Sequence, residues 1–189
     1  MCYVQIASDR VASLLSLVLF LFNFFHNPEL IIGEEKIPPG IIIIFEGAVK
    51  DKIHPSSLHL AESQTDVHIE ARVNWDSKKI PKGAVPNGFI PYLKISAIII
   101  NSKTGFKTFI DLKPHINLID NFHYARNIAL PGSIKDSYDI KFNISAPSNS
   151  ELALHNDWLV NYGDSLLQGF TFSYERVNFK KVASASRKS

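Results

Sequence analysis

The chain has 189 residues, 46% of them apolar and 20% charged, with a formal net charge of +2. That length suits one domain with a buried core, and so small a charge leaves no electrostatic footprint for nucleic acid or an anionic membrane surface. The single cysteine, Cys2, excludes an internal disulfide and a cysteine-based zinc site, although it does not fix the compartment.

Val11 to Phe25 (VASLLSLVLFLFNFF) is the first element and the one long apolar run. It is shorter than the roughly 20 residues that a spanning helix needs and is close in length to the apolar part of a secretory leader. Arg10 supplies a preceding charge, and no A-x-A cleavage site follows. Residues 1–28 therefore read as an export leader or an uncleaved anchor, against the simpler reading of a buried first helix. Residues 29–179 read as one β domain, and residues 180–189, basic and rich in small side chains, as a flexible tail.

Ile41 to Phe45 (IIIIF) predicts a strand buried on both faces. Asp66 to Trp75 (DVHIEARVNW) alternates without a slip. Val67, Ile69, Ala71, Val73 and Trp75 form a dry face, and Asp66, His68, Glu70, Arg72 and Asn74 a wet one. Asp76 to Gly88 is a loop by its prolines and glycines. Phe89 to Ile100 predicts a long strand, with Pro91 marking an edge or bulge. Asn101 to Gly105 is a hairpin turn, and Phe106 to Leu112 the returning strand. Tyr138 to Ile144 and Phe170 to Tyr174 alternate again. Lys113 to Gly132 and Ser145 to Gly169 are left as long connections, of a length usually reserved for function. Short alternating strands between turns imply an antiparallel β-sandwich.

The candidate chemistry lies in the histidines, seven in all. His26 falls at the end of the leader, and His54 and His59 sit in a turn-like stretch, leaving His68, His115, His123 and His155. His68 and Glu70 are two apart on one strand, so their Cα atoms are about 6.6–6.8 Å apart on one face. Two such side chains can converge on one ion or on two adjacent ions, and neutral imidazole is the commonest metal ligand near neutral pH. An ordinary solvated pair, with Arg72 as partner of the Glu70 carboxylate, fits the same spacing. Nucleophile-elbow and H-E-x-x-H motifs are absent, so no catalytic residue is assigned.

The motifs DVHIEA, GFIPYLKI, LKPH, HYARNI and LHNDW, in that order from about Ile32 to Val177, resemble the periplasmic iron-transport protein family, whose members are also described as pathogen-specific membrane antigens. The resemblance implies an immunoglobulin-like sandwich, exported and homodimeric. It also implies a binding protein rather than an enzyme, one that binds copper and iron, zinc being a further possibility, and assists an iron permease of the inner membrane. It implies His68, Glu70, His123 and His155 as metal ligands. His115 stands where members carry the methionine of P-M. Glu34, after Ile-Gly, and His54, near another family methionine, are candidates for a second site. Asn121 and Ala125 replace glycines around the H-Y pair, and the His115–His123 spacing is one residue longer than the family's. Exchanging a thioether for His115 tilts the site from Cu(I) towards Cu(II), with Glu70 expected to serve a neighbouring, harder ion such as iron. Two alternatives remain at this stage: a metal-dependent redox enzyme of the cell envelope, and a structural or adhesive sandwich without metal.

Overall fold

The structure is a computed structural model and describes residues 28–187; the leader run Val11–Phe25 and the last two residues of the tail lie outside it. Eight strands make up the domain: β1 (Glu29–Ile37), β2 (Ile41–Ala48), β3 (Val67–Trp75), β4 (Lys94–Asn101), β5 (Lys107–Asn117), β6 (Asn121–Ile128), β7 (Tyr138–Ser145) and β8 (Phe170–Val177). Two short helices are added late, α1 (Asn156–Tyr162) and α2 (Lys180–Ala183). All strand pairs are antiparallel, in the order β1-β2-β3-β6-β5-β4-β7-β8. No helix among the described residues is long and apolar enough to cross a membrane.

One strand turns this ribbon into the expected sandwich. The first half of β5, to Leu112, pairs with β4, and the second half, from Lys113, pairs with β6. Pro114 stands just past the switch, where its missing N–H interrupts no long ladder. The two layers face each other across Ile43, Phe45, Val67, Ile69, Ala71 and Val73 on one side and Ile95, Ile99, Ile140, Phe142 and Ile144 on the other, all buried. Phe45 stacks on Phe142 at 4.0 Å between ring centroids. The open edges meet as well: the Tyr174 hydroxyl donates to Glu35 at 2.8 Å. Gly33 lies under the Tyr174 ring, where a β-carbon would collide. The sandwich is therefore closed nearly into a barrel.

Several sequence expectations are corrected. Within the Ile41–Phe45 run only Ile41, Ile43 and Phe45 are buried, while Ile42 and Ile44 are half-buried on the outer face. β4 begins at Lys94 rather than Phe89, which makes a single bridge to Asn74; the segment before it is held instead by Tyr124. Lys113 to Gly132 is mostly a β-hairpin, not a loop. Its turn escaped notice because Asn121, not glycine, takes the left-handed conformation, at φ 59°. Asn117 braces that turn by accepting from the backbone N–H groups of Ile119 and Asp120. Ser145 to Gly169 contains α1, too short to show a helical period. The tail is not free up to Arg187: α2 buries Val182, and Phe179 before it is buried in the core.

Tyr124 ties β6 to the segment leading into β4. Its hydroxyl donates to the Ile90 carbonyl at 2.8 Å and accepts from the Leu93 N–H at 3.0 Å. Tyr124→Phe leaves two buried backbone groups without partners, and should destabilise the domain by about 1–3 kcal/mol. In urea unfolding the midpoint should fall with an unchanged slope.

Candidate metal centre

The site is built on the outer face of β2, β3, β6 and β5, and the register places its side chains. Tyr124 points into the core, so its neighbour His123 points outward. His68 stands opposite Asn127, Glu70 opposite Ala125 and Glu46, and His115 opposite His123. The two histidines assigned to a loop are thus cross-strand partners on adjacent strands. The small side chain of Ala125 beside Glu70 leaves room above the sheet.

This face is not wet. His68 is 2% exposed and Glu70 4%. The connection between β2 and β3 folds across them, and Asn127 holds it there. Its side-chain amide donates to the carbonyls of Asp51 at 2.8 Å and Leu60 at 3.1 Å. Arg187 closes one side, paired with Asp51 at 3.2 Å. What remains is a cavity of about 360 Å³ whose lining includes His54, His59, His68, His115 and His123.

At its floor, one ligand atom each from His68 and His123, which line it, and from the neighbouring Glu70 lies within 4.8 Å of the other two. The imidazoles are already oriented. His68 Nδ1 lies 2.7 Å from the Asn127 side-chain oxygen, His115 Nδ1 lies 2.8 Å from the Lys113 carbonyl, and His123 Nδ1 lies 3.0 Å from the Asn121 carbonyl. Each of these oxygens accepts, so each Nδ1 carries the proton and each Nε2 keeps its lone pair. That is the arrangement by which outer hydrogen bonds orient metal-binding histidines. The buried Nε2 of His115 has no hydrogen-bond partner.

The charges match. Burial lowers the His68 pKa to about 3, and burial also lowers those of His115 and His123, so the rings are neutral near pH 7. Burial, together with the nearby Asp120, Glu46 and Glu29, raises Glu70 to about 8. His68 and Glu70, 3.6 Å apart, are therefore two neutral groups and not an ion pair. Arg72, the alternative partner for Glu70, bonds Glu46 instead at 2.6 Å. The solvated-pair reading fails on both counts: the pair is buried, and its cation is taken. A divalent ion would supply the missing positive charge, and the donor set of imidazole nitrogen and carboxylate oxygen fits one.

The matching family model is that of the Fe2+ transport protein, over residues 26–180. The chain belongs to this family. A copper-bound variant of P19 from Campylobacter jejuni is 26% identical, with a TM-score of 0.65 over 79% of this chain and 96% of that one. A copper-bound variant of FetP from uropathogenic Escherichia coli is 25% identical, with a TM-score of 0.64 over 78% and 95%. The 34 kDa membrane antigen of Treponema pallidum is 27% identical over 107 residues, 56% of this chain and 52% of that protein, so the chain spans about half the length of this relative.

Not every family-based candidate arrives at the site. Glu70 sits with His68 and His123 rather than apart at a second ion. His115 adjoins them but is not part of that group. His54 is exposed at the cavity wall, and Glu34 is exposed on β1, one strand removed from β3. His155 is exposed and precedes the first turn of α1. That helix packs Trp158 against Trp75, 6.4 Å between ring centroids. Trp75 is seven residues along β3 from His68, about 23 Å at strand rise, so His155 cannot serve the same cavity in one chain. Sequence reasoning missed Asn127 and His59. Asn127 was visible as the last residue of the H-Y-x-x-N motif; His59 had no signal beyond its type.

The raised pKa of Glu70 has a measurable consequence without metal. The folded state keeps the Glu70 proton to about pH 8, whereas an unfolded chain releases it near 4.3. Its stabilising contribution is complete below about pH 4.3 and is lost as pH rises through 8. Glu70→Gln removes that dependence. Metal-free wild type should therefore lose stability relative to Glu70→Gln between pH 4.5 and 8, and the difference should level off above 8. Urea unfolding at a series of pH values checks this; a difference independent of pH would mean that Glu70 is ionised in the fold.

Proposed function

We propose that this chain is an exported divalent-metal carrier that binds copper and iron and assists iron uptake through an inner-membrane permease. The observation that carries the reading is the convergence of His68, His123 and Glu70, with both rings held by their Nδ1–H groups so that the Nε2 lone pairs face the cavity. Family membership and the copper-bound relatives support it. Neutral nitrogen donors and one carboxylate suit Cu(II), Zn(II) and Fe(II), with Cu(II) tightest by the divalent affinity order. The role is binding rather than catalysis; steady turnover of Fe(II) by the copper-loaded protein would favour the redox-enzyme alternative. Export rests on the apolar leader and would be refuted by a cytosolic product with an intact amino terminus.

The resemblance also implies a homodimer and His155 as a ligand. In a single chain His155 leads into the helix that packs on Trp75, about 23 Å along β3 from His68, so both expectations hold together only if one copy offers its exposed His155 to the site of another. A sample that sediments as a monomer with and without metal would end that reading.

At pH 7, uptake of one Cu(II) should release about one proton, because Glu70 must ionise to bind. Calorimetry in buffers of different ionisation enthalpy, with a competing chelator, measures both quantities. His123→Ala should weaken Cu(II) binding by at least tenfold, and Glu70→Gln should abolish the proton release. Wild-type affinity in His123→Ala would remove His123 from the site and the reading with it.

A further inference from the structure

His59 and His115 form a second nitrogen pair at the edge of the same cavity. Their ring centroids are 5.0 Å apart, the shortest separation in the histidine cluster; His68–His115, His115–His123 and His68–His123 stand at 5.5, 5.9 and 6.4 Å. Two ring nitrogens here have no hydrogen-bond partner despite being shielded from solvent: His59 Nδ1 and His115 Nε2. Buried polar atoms are rarely left so, and an orphan asks for an unseen partner. Finding two in touching rings that line one cavity points to a shared one.

The geometry fits a metal ion. Imidazole nitrogen binds Zn(II) at about 2.0–2.1 Å, and two rings on one tetrahedral ion then have centroids about 5 Å apart. The His115 Nδ1–H donates to the Lys113 carbonyl, so its Nε2 lone pair is free. His115 also stands outside the compact His68–Glu70–His123 group. We infer that His59 and His115 hold a second, outer divalent ion of the borderline class, Cu(II) or Zn(II), with water completing its shell. Half-buried His59 and His115 lie nearer solvent than His68 and His123, so an ion entering by the cavity mouth meets the outer pair before the inner group. The connection that covers the inner site thus supplies a ligand of its own.

This inference rests on the proposed metal-carrier role, and its test keeps the two apart. Full-length protein is titrated with Zn(II) and with Cu(II) by calorimetry against a chelator, alongside His59→Asn and His123→Ala. Wild type should take two ions per chain. His59→Asn should weaken only the looser one, at least tenfold, and His123→Ala only the tighter one. In a long-range proton–nitrogen correlation spectrum, His59 Nδ1 and His115 Nε2 should shift together as the second equivalent of Zn(II) is added. One ion per chain in the wild type, or His59→Asn affinities within twofold of wild type for both ions, would overturn the outer site. Either result leaves the inner one to be judged by His123→Ala alone.

Discussion

Everything at this site depends on the side-chain amide of Asn127. Its oxygen accepts from His68 and so fixes which nitrogen of that ring faces the cavity, while its NH2 group holds the carbonyls of Asp51 and Leu60. One side chain thus orients a ligand and fastens the cover over it. The cover excludes water, water exclusion keeps the imidazoles neutral, and neutral imidazole is the form that binds metal. An aspartate of the same size could accept from His68 but could not donate to both carbonyls.

A second constraint is the shortage of positive charge. Glu46 and Glu70 lie opposite each other on adjacent strands and both are buried, yet the face offers Arg72 to only one of them. Because Arg72 goes to Glu46, Glu70 is left to burial and nearby carboxylates, and holds a proton at neutral pH. Burial raises the pKa of Glu46 as well, but there the Arg72 guanidinium opposes it, whereas among the described residues no cation bonds the Glu70 carboxyl. The proton on Glu70 also explains how the fold tolerates the pocket without metal: a neutral acid beside a neutral imidazole is far cheaper to bury than a bare charge.

Much of the fold was legible because its strands alternate. Val67 to Trp75 and Tyr138 to Ile144 each declared their core face, and the sandwich followed. The β5–β6 hairpin was illegible because a proline near the sheet switch and an asparagine in the left-handed turn replace the usual signals. The wet face of β3 was misjudged for a related reason. Alternation marks polar residues as outward, but it cannot tell water from a cover held by hydrogen bonds, and the Val49–Asp66 connection is such a cover. At the site, His68, Glu70 and His123 were anticipated by motif. His155 was anticipated too, but α1 carries it to the far end of β3. His59 and Asn127 act through tertiary contacts with partners 56 and 59 residues away in sequence, which no local pattern encodes.

The central claim is that the cavity is organised for nitrogen ligation before any ion arrives. A long-range proton–nitrogen correlation spectrum of the metal-free protein at pH 7, with its histidines labelled, tests it most directly. The account predicts that His68, His115 and His123 are all neutral and carry their proton on Nδ1, leaving Nε2 as the deshielded, unprotonated nitrogen. Finding these rings protonated on Nε2, or on both nitrogens, would contradict it.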